Sequence, residues 1–358
     1  MFAYLAQESK TKIKFIVFSF MSIAILVLFA GLRDISVGTD TEHYYSNLWR
    51  EASLHRSIWS FMKSYYIHYR SGEYLYAFIL VVSQKLTGNF HIFLTITHLI
   101  IIVGVYIGIY RLKEYCSPAF FMFLFCMFYY NHSLNVFRQY MAMAVLFAFS
   151  ADLLERRFLR YLAAVFVAIT LHNSAVLGII PLFLYLLIYP GKRVKALSVD
   201  KRFMLYLLIV VAAILLRPIA RTVINAGFAN NKYESYLESE GSNTYLVPRL
   251  LSLIEVAAIL FFLRSFRNYK PTSDFFFACA FTFFVLYQTA STISYGRRIP
   301  IYVAFLNLTS LGLLTRSLKL RSNAAIVQGA ISLIAVVYWF LMYGYYNTSR
   351  TIPYILGV

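Results

Sequence analysis

Apolar residues fall in long runs separated by short polar stretches, with no sustained apolar-polar alternation. The first run follows a basic flank in "ESKTKIKFIVFSFMSIAILVLFAG". It holds about seventeen apolar residues, longer than the roughly 7–15 of a signal-peptide core, and no small-x-small cleavage site follows. This predicts an uncleaved first helix with its N-terminus inside. Further runs lie near 91–110, 118–132, 136–154, 161–172, 174–189, 203–217, 248–263, 274–292, 298–314 and 324–344. A full span needs ~20 residues, so the run at 161–172 is short. All are helix candidates, because an open strand cannot satisfy its backbone in lipid.

The segment "YLYAFILVVSQKL" at 74–86 is ambiguous, being apolar but brief and interrupted by Gln84 and Lys85. Charge decides it. If the segment does not cross, the basic clusters "RLKEY", "ERRFLR", "GKRVKALSVDKR", "RSFRNYK" and "RSLKLR" all lie on the cytoplasmic side; if it crosses, every one lies outside. The positive-inside rule therefore predicts a helix at 74–86 that dips into the outer face. The expected fold class is an all-α integral membrane protein of about eleven transmembrane helices plus that dipping helix, with an external C-terminus. Residues 1–358 read as a single polytopic domain, with long outer loops at 32–90 and 218–247.

Composition agrees with a membrane class: 60% of the 358 residues are hydrophobic and 13% charged, against roughly 25% charged in an average soluble domain. The net charge of +18 does not imply nucleic acid, because the Lys and Arg fall in short clusters between apolar runs. Cys116, Cys126 and Cys279 show neither a disulfide framework nor metal-ligand spacing. No cofactor is expected.

"NVFRQYMAMAVLFAF" at 135–149 places Arg138 and Gln139 at the start of an apolar run. A cation there must snorkel, be paired, or line a wet cavity. Both a snorkelling anchor and an anion ligand fit Arg138, the latter because a guanidinium presents a rigid fork that matches phosphate. On the predicted topology the outer ends also collect Arg33, Asp40, His43, Glu73, His132, Asn135, His172 and the adjacent Arg297 and Arg298. His172 suits either a structural group or a donor to substrate oxygens. Asp40 in "GTDTEHYY" reads as a helix cap or as a general base; Glu73 is the other outer carboxylate beside a span.

Several of these stretches together resemble the EpsG family of Wzy-like bacterial polysaccharide polymerases: "GLRDISVGTDTEHYY", "GEYLYAFIL", "LNVFRQYMAMA", "LHNSAVLGIIP", "NKYESYL", "RRIPIYVAF" and the final "IPY", in that order along the chain. The resemblance implies a glycosyltransferase of the bacterial cytoplasmic membrane. It would join oligosaccharide repeat units carried on undecaprenyl diphosphate at the outer, periplasmic face. A GT-C-like architecture is implied by the long first outer loop and the dipping helix. Arg33, Arg138, Gln139, Arg297 and Arg298 form the candidate substrate and diphosphate set, where guanidiniums can replace a metal. Asp40, Glu73 and His172 are the candidate catalytic groups, with Asp40 favoured as base. The implied partners are the lipid-linked repeat units, membrane lipids, a chain-length regulator and a flippase. The rival functions are a flippase or transporter for the same lipid-linked sugar and an O-antigen ligase.

Overall fold

The computed structural model describes residues 1–69, 72–191, 198–225, 246–290 and 298–357. Every named element among them is helical, and the one extended pairing among them is a single antiparallel bridge between Arg33 and Leu356. The described chain forms two compact units, Met1–Ile179 with Leu333–Val358, and Ile180–Ser332.

In the first unit the helix Lys12–Gly31 starts at Thr11, whose hydroxyl accepts from the Lys14 N–H, and it buries little beyond Val27, Ala30 and Gly31. A helix apolar on all sides and so little buried by protein is made for lipid. Its buried end packs on Phe90–Arg111, where Gly31 leaves room for Thr95. Phe90–Arg111 in turn packs along Phe137–Ala148. Gly104 permits that approach, since a Cβ there would stand 2.9 Å from the Ala144 backbone. Small residues at helix crossings are how apolar helices gain contact in lipid, where hydrophobic burial gives no drive.

The described part of the loop expected on the outer side is itself helical: a wide turn at Thr41–Tyr45 leads into Ser46–Leu54, followed by Ile58–Tyr69 and Tyr74–Thr87. The last has 14 residues. At 1.5 Å per residue that is about 21 Å, short of a ~30 Å hydrocarbon core. Phe158–Leu171 has the same length, so its expected crossing does not follow from length either.

Among the described residues three helices are long and apolar enough to span a membrane, Lys12–Gly31, Phe90–Arg111 and Arg321–Tyr345. A fourth is added if Leu246–Phe261 and Leu263–Tyr269, bent by 76°, form one broken span. Other apolar runs are interrupted. The run from Pro118 passes through a wide turn at Cys126–Tyr130 and stops at Asn135; a break at Val136 precedes Phe137–Ala148. Hydropathy reads through such breaks because it registers composition and not backbone continuity.

In the second unit Ile301–Ser317 is buried along nearly its whole length and packs on Ser273–Ala290. Its Asn307 donates to Glu255 at 2.7 Å, and Ser310 donates to the Phe276 carbonyl at 2.8 Å. Asp274 lies between Arg202 and Arg267.

Candidate active site

Three helix ends converge in the first unit. Glu73 immediately precedes Tyr74–Thr87, but its side chain does not cap that helix. Arg138 lies in the first turn of Phe137–Ala148, directly after the break at Val136. His172 ends Phe158–Leu171 in extended conformation, its N–H still donating to the Ala168 carbonyl. The Glu73–Arg138–His172 cluster that results is held by short bonds: Arg138 Nη1 to Glu73 Oε2 at 2.5 Å, and His172 Nδ1 to Glu73 Oε1 at 2.6 Å. The Asn173 N–H donates to the same Oε1 at 3.1 Å. Since a carboxylate only accepts, Nδ1 of His172 carries the proton of that bond.

Burial works against a charge on Glu73, whose side chain is 6% exposed. The Arg138 guanidinium, the hydrogen bond and charge of His172 and the Asn173 N–H outweigh that burial and lower its carboxyl to about 2. Arg138 is also enclosed by aromatic rings. Its guanidinium carbon lies 4.6 Å from the Tyr44 ring centroid, 5.4 Å from Tyr45 and 5.1 Å from Tyr76. Nη1 additionally donates to the Tyr44 hydroxyl at 3.4 Å. Each such cation–π contact contributes about 0.5–1 kcal/mol when exposed and more when desolvated. The arginine is thus paired and caged, and its side chain is still 17% exposed.

Asp40 is brought to the same break. Its N–H donates to Asn135 Oδ1 at 2.7 Å, and the Thr39 hydroxyl donates to that oxygen at 3.2 Å. Asn135 stands three residues before Arg138, so the loop that carries Asp40 is tied to the start of the arginine helix. Arg33 strengthens that joint. It is fully buried, donating to the carbonyls of Ala30 and Leu134 at 2.5 and 2.8 Å and to the Thr41 hydroxyl at 3.4 Å. Its donors therefore hold the loop in this conformation. Gln139 is buried beside Arg138. Arg298 belongs to the second unit, and Arg297 lies outside the described residues.

The C-terminal tail adds a strap. The N–H groups of Gly38 and Thr39 donate to the carbonyls of Arg350 and Ser349, and the Asp34 N–H to that of Ile355. Asn131 donates to Thr351, and the Tyr354 ring stacks on Phe29 at 3.9 Å. The "IPY" block is thereby placed against the loop of the "VGTD" block.

A family model described as the EpsG family matches residues 16–356. The chain belongs to the EpsG family. The match covers nearly the whole chain, so the EpsG assignment takes in both compact units and every candidate residue. No curated protein and no solved structure matches the chain. Within this EpsG chain, sequence reasoning missed the tyrosine cage and the Glu255–Asn307 pair. Tyr44 and Tyr45 stand in the same "TEHYY" block as the loop, and Tyr76 follows Glu73 by three residues, one helical turn. Those spacings were the available signal. Glu255, an acid inside an apolar run, was another.

Proposed function

We propose that this EpsG protein is a polysaccharide polymerase of the bacterial cytoplasmic membrane, with about eleven spans, a GT-C-like arrangement and its active face outward. It transfers a glycan from undecaprenyl diphosphate onto a second lipid-linked repeat unit. The observation that carries this reading is the Glu73–Arg138–His172 cluster, assembled from three of the blocks that resemble the family and placed beside the Asp40 loop.

The acceptor hydroxyl attacks the anomeric carbon, its new C–O bond forming as the bond to the diphosphate breaks. Undecaprenyl diphosphate leaves as an anion and needs no acid. The attacking hydroxyl must lose its proton, and Asp40 takes it. A carboxyl held at about 2, with both oxygens engaged, is a feeble base; Glu73 is therefore a positioning residue that sets the planes of Arg138 and His172. Arg138 neutralises the leaving diphosphate, where fixed positive charge is worth most. With its Nδ1–H committed to Glu73, His172 offers Nε2 to substrate oxygens, as a donor when the ring is protonated. Gln139, buried next to Arg138, belongs to the anion-binding set, and Arg33 acts by holding the loop.

The test is the surface glycan of cells carrying single variants at normal protein level. Arg138→Ala is expected to leave single-repeat glycan, and Arg138→Lys to restore little of the polymer, because a point charge reproduces neither the fork nor the stacking on three rings. Asp40→Asn should abolish turnover of purified lipid-linked repeats while their binding persists. Loss of all surface glycan would instead indicate a flippase, and full-length polymer left on its carrier a ligase. Wild-type polymer in Arg138→Ala overturns the diphosphate role.

A further inference from the structure

The second unit holds a basic cavity remote in kind from the cluster above. It encloses about 560 Å³ and is lined by Arg202, Arg264, Arg267 and Asp274, with Leu260 and Phe261 along one wall. Three guanidiniums meet one carboxylate. Asp274 is nearly buried and lies 3.3 Å from Arg202 Nη2 and 3.0 Å from Arg267 Nε. Those pairs hold two arginines side by side and leave Arg264 exposed at the rim, without an ion pair among the described residues. Arg264 and Arg267 are three apart on Leu263–Tyr269, hence on one face of that short helix.

The apolar wall comes from the preceding helix. Leu246–Phe261 is turned by 76° into Leu263–Tyr269 at Phe262, so a membrane-type helix ends where a basic, surface-type helix begins. Phe261 is 82% exposed and Leu260 49%. A fully apolar ligand would leave the guanidiniums uncompensated, and a small anion would leave Phe261 uncovered. A ligand with an anionic head and an aliphatic body matches both.

We infer that the cavity lined by Arg202, Arg264 and Arg267 binds a phosphate group, with an anionic phospholipid of the adjacent leaflet as its source and its acyl chain lying along Leu260 and Phe261. Basic pockets between spans on the cytoplasmic side are where such headgroups are held, and Arg forks are suited to phosphate oxygens. The predicted topology puts the 264–270 cluster on that side. The inference does not depend on the polymerase reading.

The experiment measures thermal unfolding of the purified full-length protein in a neutral detergent, with added phosphatidylglycerol, phosphatidylcholine or inorganic phosphate at matched concentration. Phosphatidylglycerol should raise Tm where phosphatidylcholine does not, and Arg264→Gln should remove at least half of that rise. Arg202→Gln should act in the same direction, and since it disturbs a buried pair, the exposed Arg264 variant decides if the former fails to fold. Native mass spectrometry should show retained phosphatidylglycerol diminished in Arg264→Gln. A rise with inorganic phosphate equal to that with phosphatidylglycerol supports the anion site and removes the lipid as its source. Equal shifts with both lipids, or an undiminished phosphatidylglycerol shift in Arg264→Gln, overturn the inference.

Discussion

Glu73 carries its charge in a place where burial disfavours it, because Arg138 and His172 lie against its two oxygens. Removing one partner of such a pair leaves the other buried and uncompensated, at roughly 3–5 kcal/mol. Glu73→Gln and Arg138→Gln should each lower the melting temperature of the purified protein, and the double variant should lose about 1 kcal/mol or more less than the two added together. Strict additivity in that cycle would show that the pair is not coupled. Acid adds a second readout. The folded carboxyl titrates at about 2 against an ordinary 4.5, so between those values the unfolded chain holds a proton that the folded one lacks. The stability Glu73 contributes is complete above about 4.5 and is lost as the pH falls through about 2. Melts followed down that window should show a slope in the wild type that Glu73→Gln reduces; identical slopes would place the pH dependence on other groups.

At the scale of elements, two glycines in helices separate packing from propensity. Ala is about 1 kcal/mol better than Gly inside a helix, and a Cβ at Gly329 meets nothing within 4 Å. Gly329→Ala should therefore raise the melting temperature slightly. At Gly104 the Cβ would press on the Ala144 backbone, which cannot rotate away as a side chain can. The clash, about 1–3 kcal/mol, exceeds the propensity gain, so Gly104→Ala should destabilise despite its better intrinsic helicity. The loop of Asp40 obeys a third constraint. Gly38 sits at φ +99° with Thr41 Oγ1 and the Leu134 carbonyl 3.2 and 3.3 Å from where a Cβ would be. Gly38→Ala is expected to lower polymer length more than protein level, because it disturbs the joint to Asn135 and the tail strap while leaving the helices intact. Undiminished polymer in that variant would show that the joint does not position the site.

For the molecule as a whole, orientation governs every assignment of side. Cysteines introduced at position 198 and in the other basic loops should resist an impermeant reagent applied from outside, whereas cysteines within 46–54 or near 347 should react. Outside labelling at 198 would invert the topology and move the Glu73 cluster to the cytoplasmic side. The buried Ile301–Ser317 helix provides a control, since a cysteine at Thr309 should stay unlabelled under native conditions from either side.

By itself the sequence determined the membrane class, the helical composition and the family. Hydropathy and charge bias are local sums, so they survive without knowledge of packing. It also supplied Arg138, Glu73 and His172 as candidates. Their pairing was decided by tertiary structure: Glu73 meets Arg138 across 65 positions and His172 across 99, distances at which no periodicity carries information. The same holds for the use of Arg33 as a clamp on backbone carbonyls and for the tyrosines around Arg138. Each depends on where helices break and how closely they cross, as at Val136 and Gly104. An apolar run reads the same whether its helix is straight, short or interrupted, and only the folded chain distinguishes these cases.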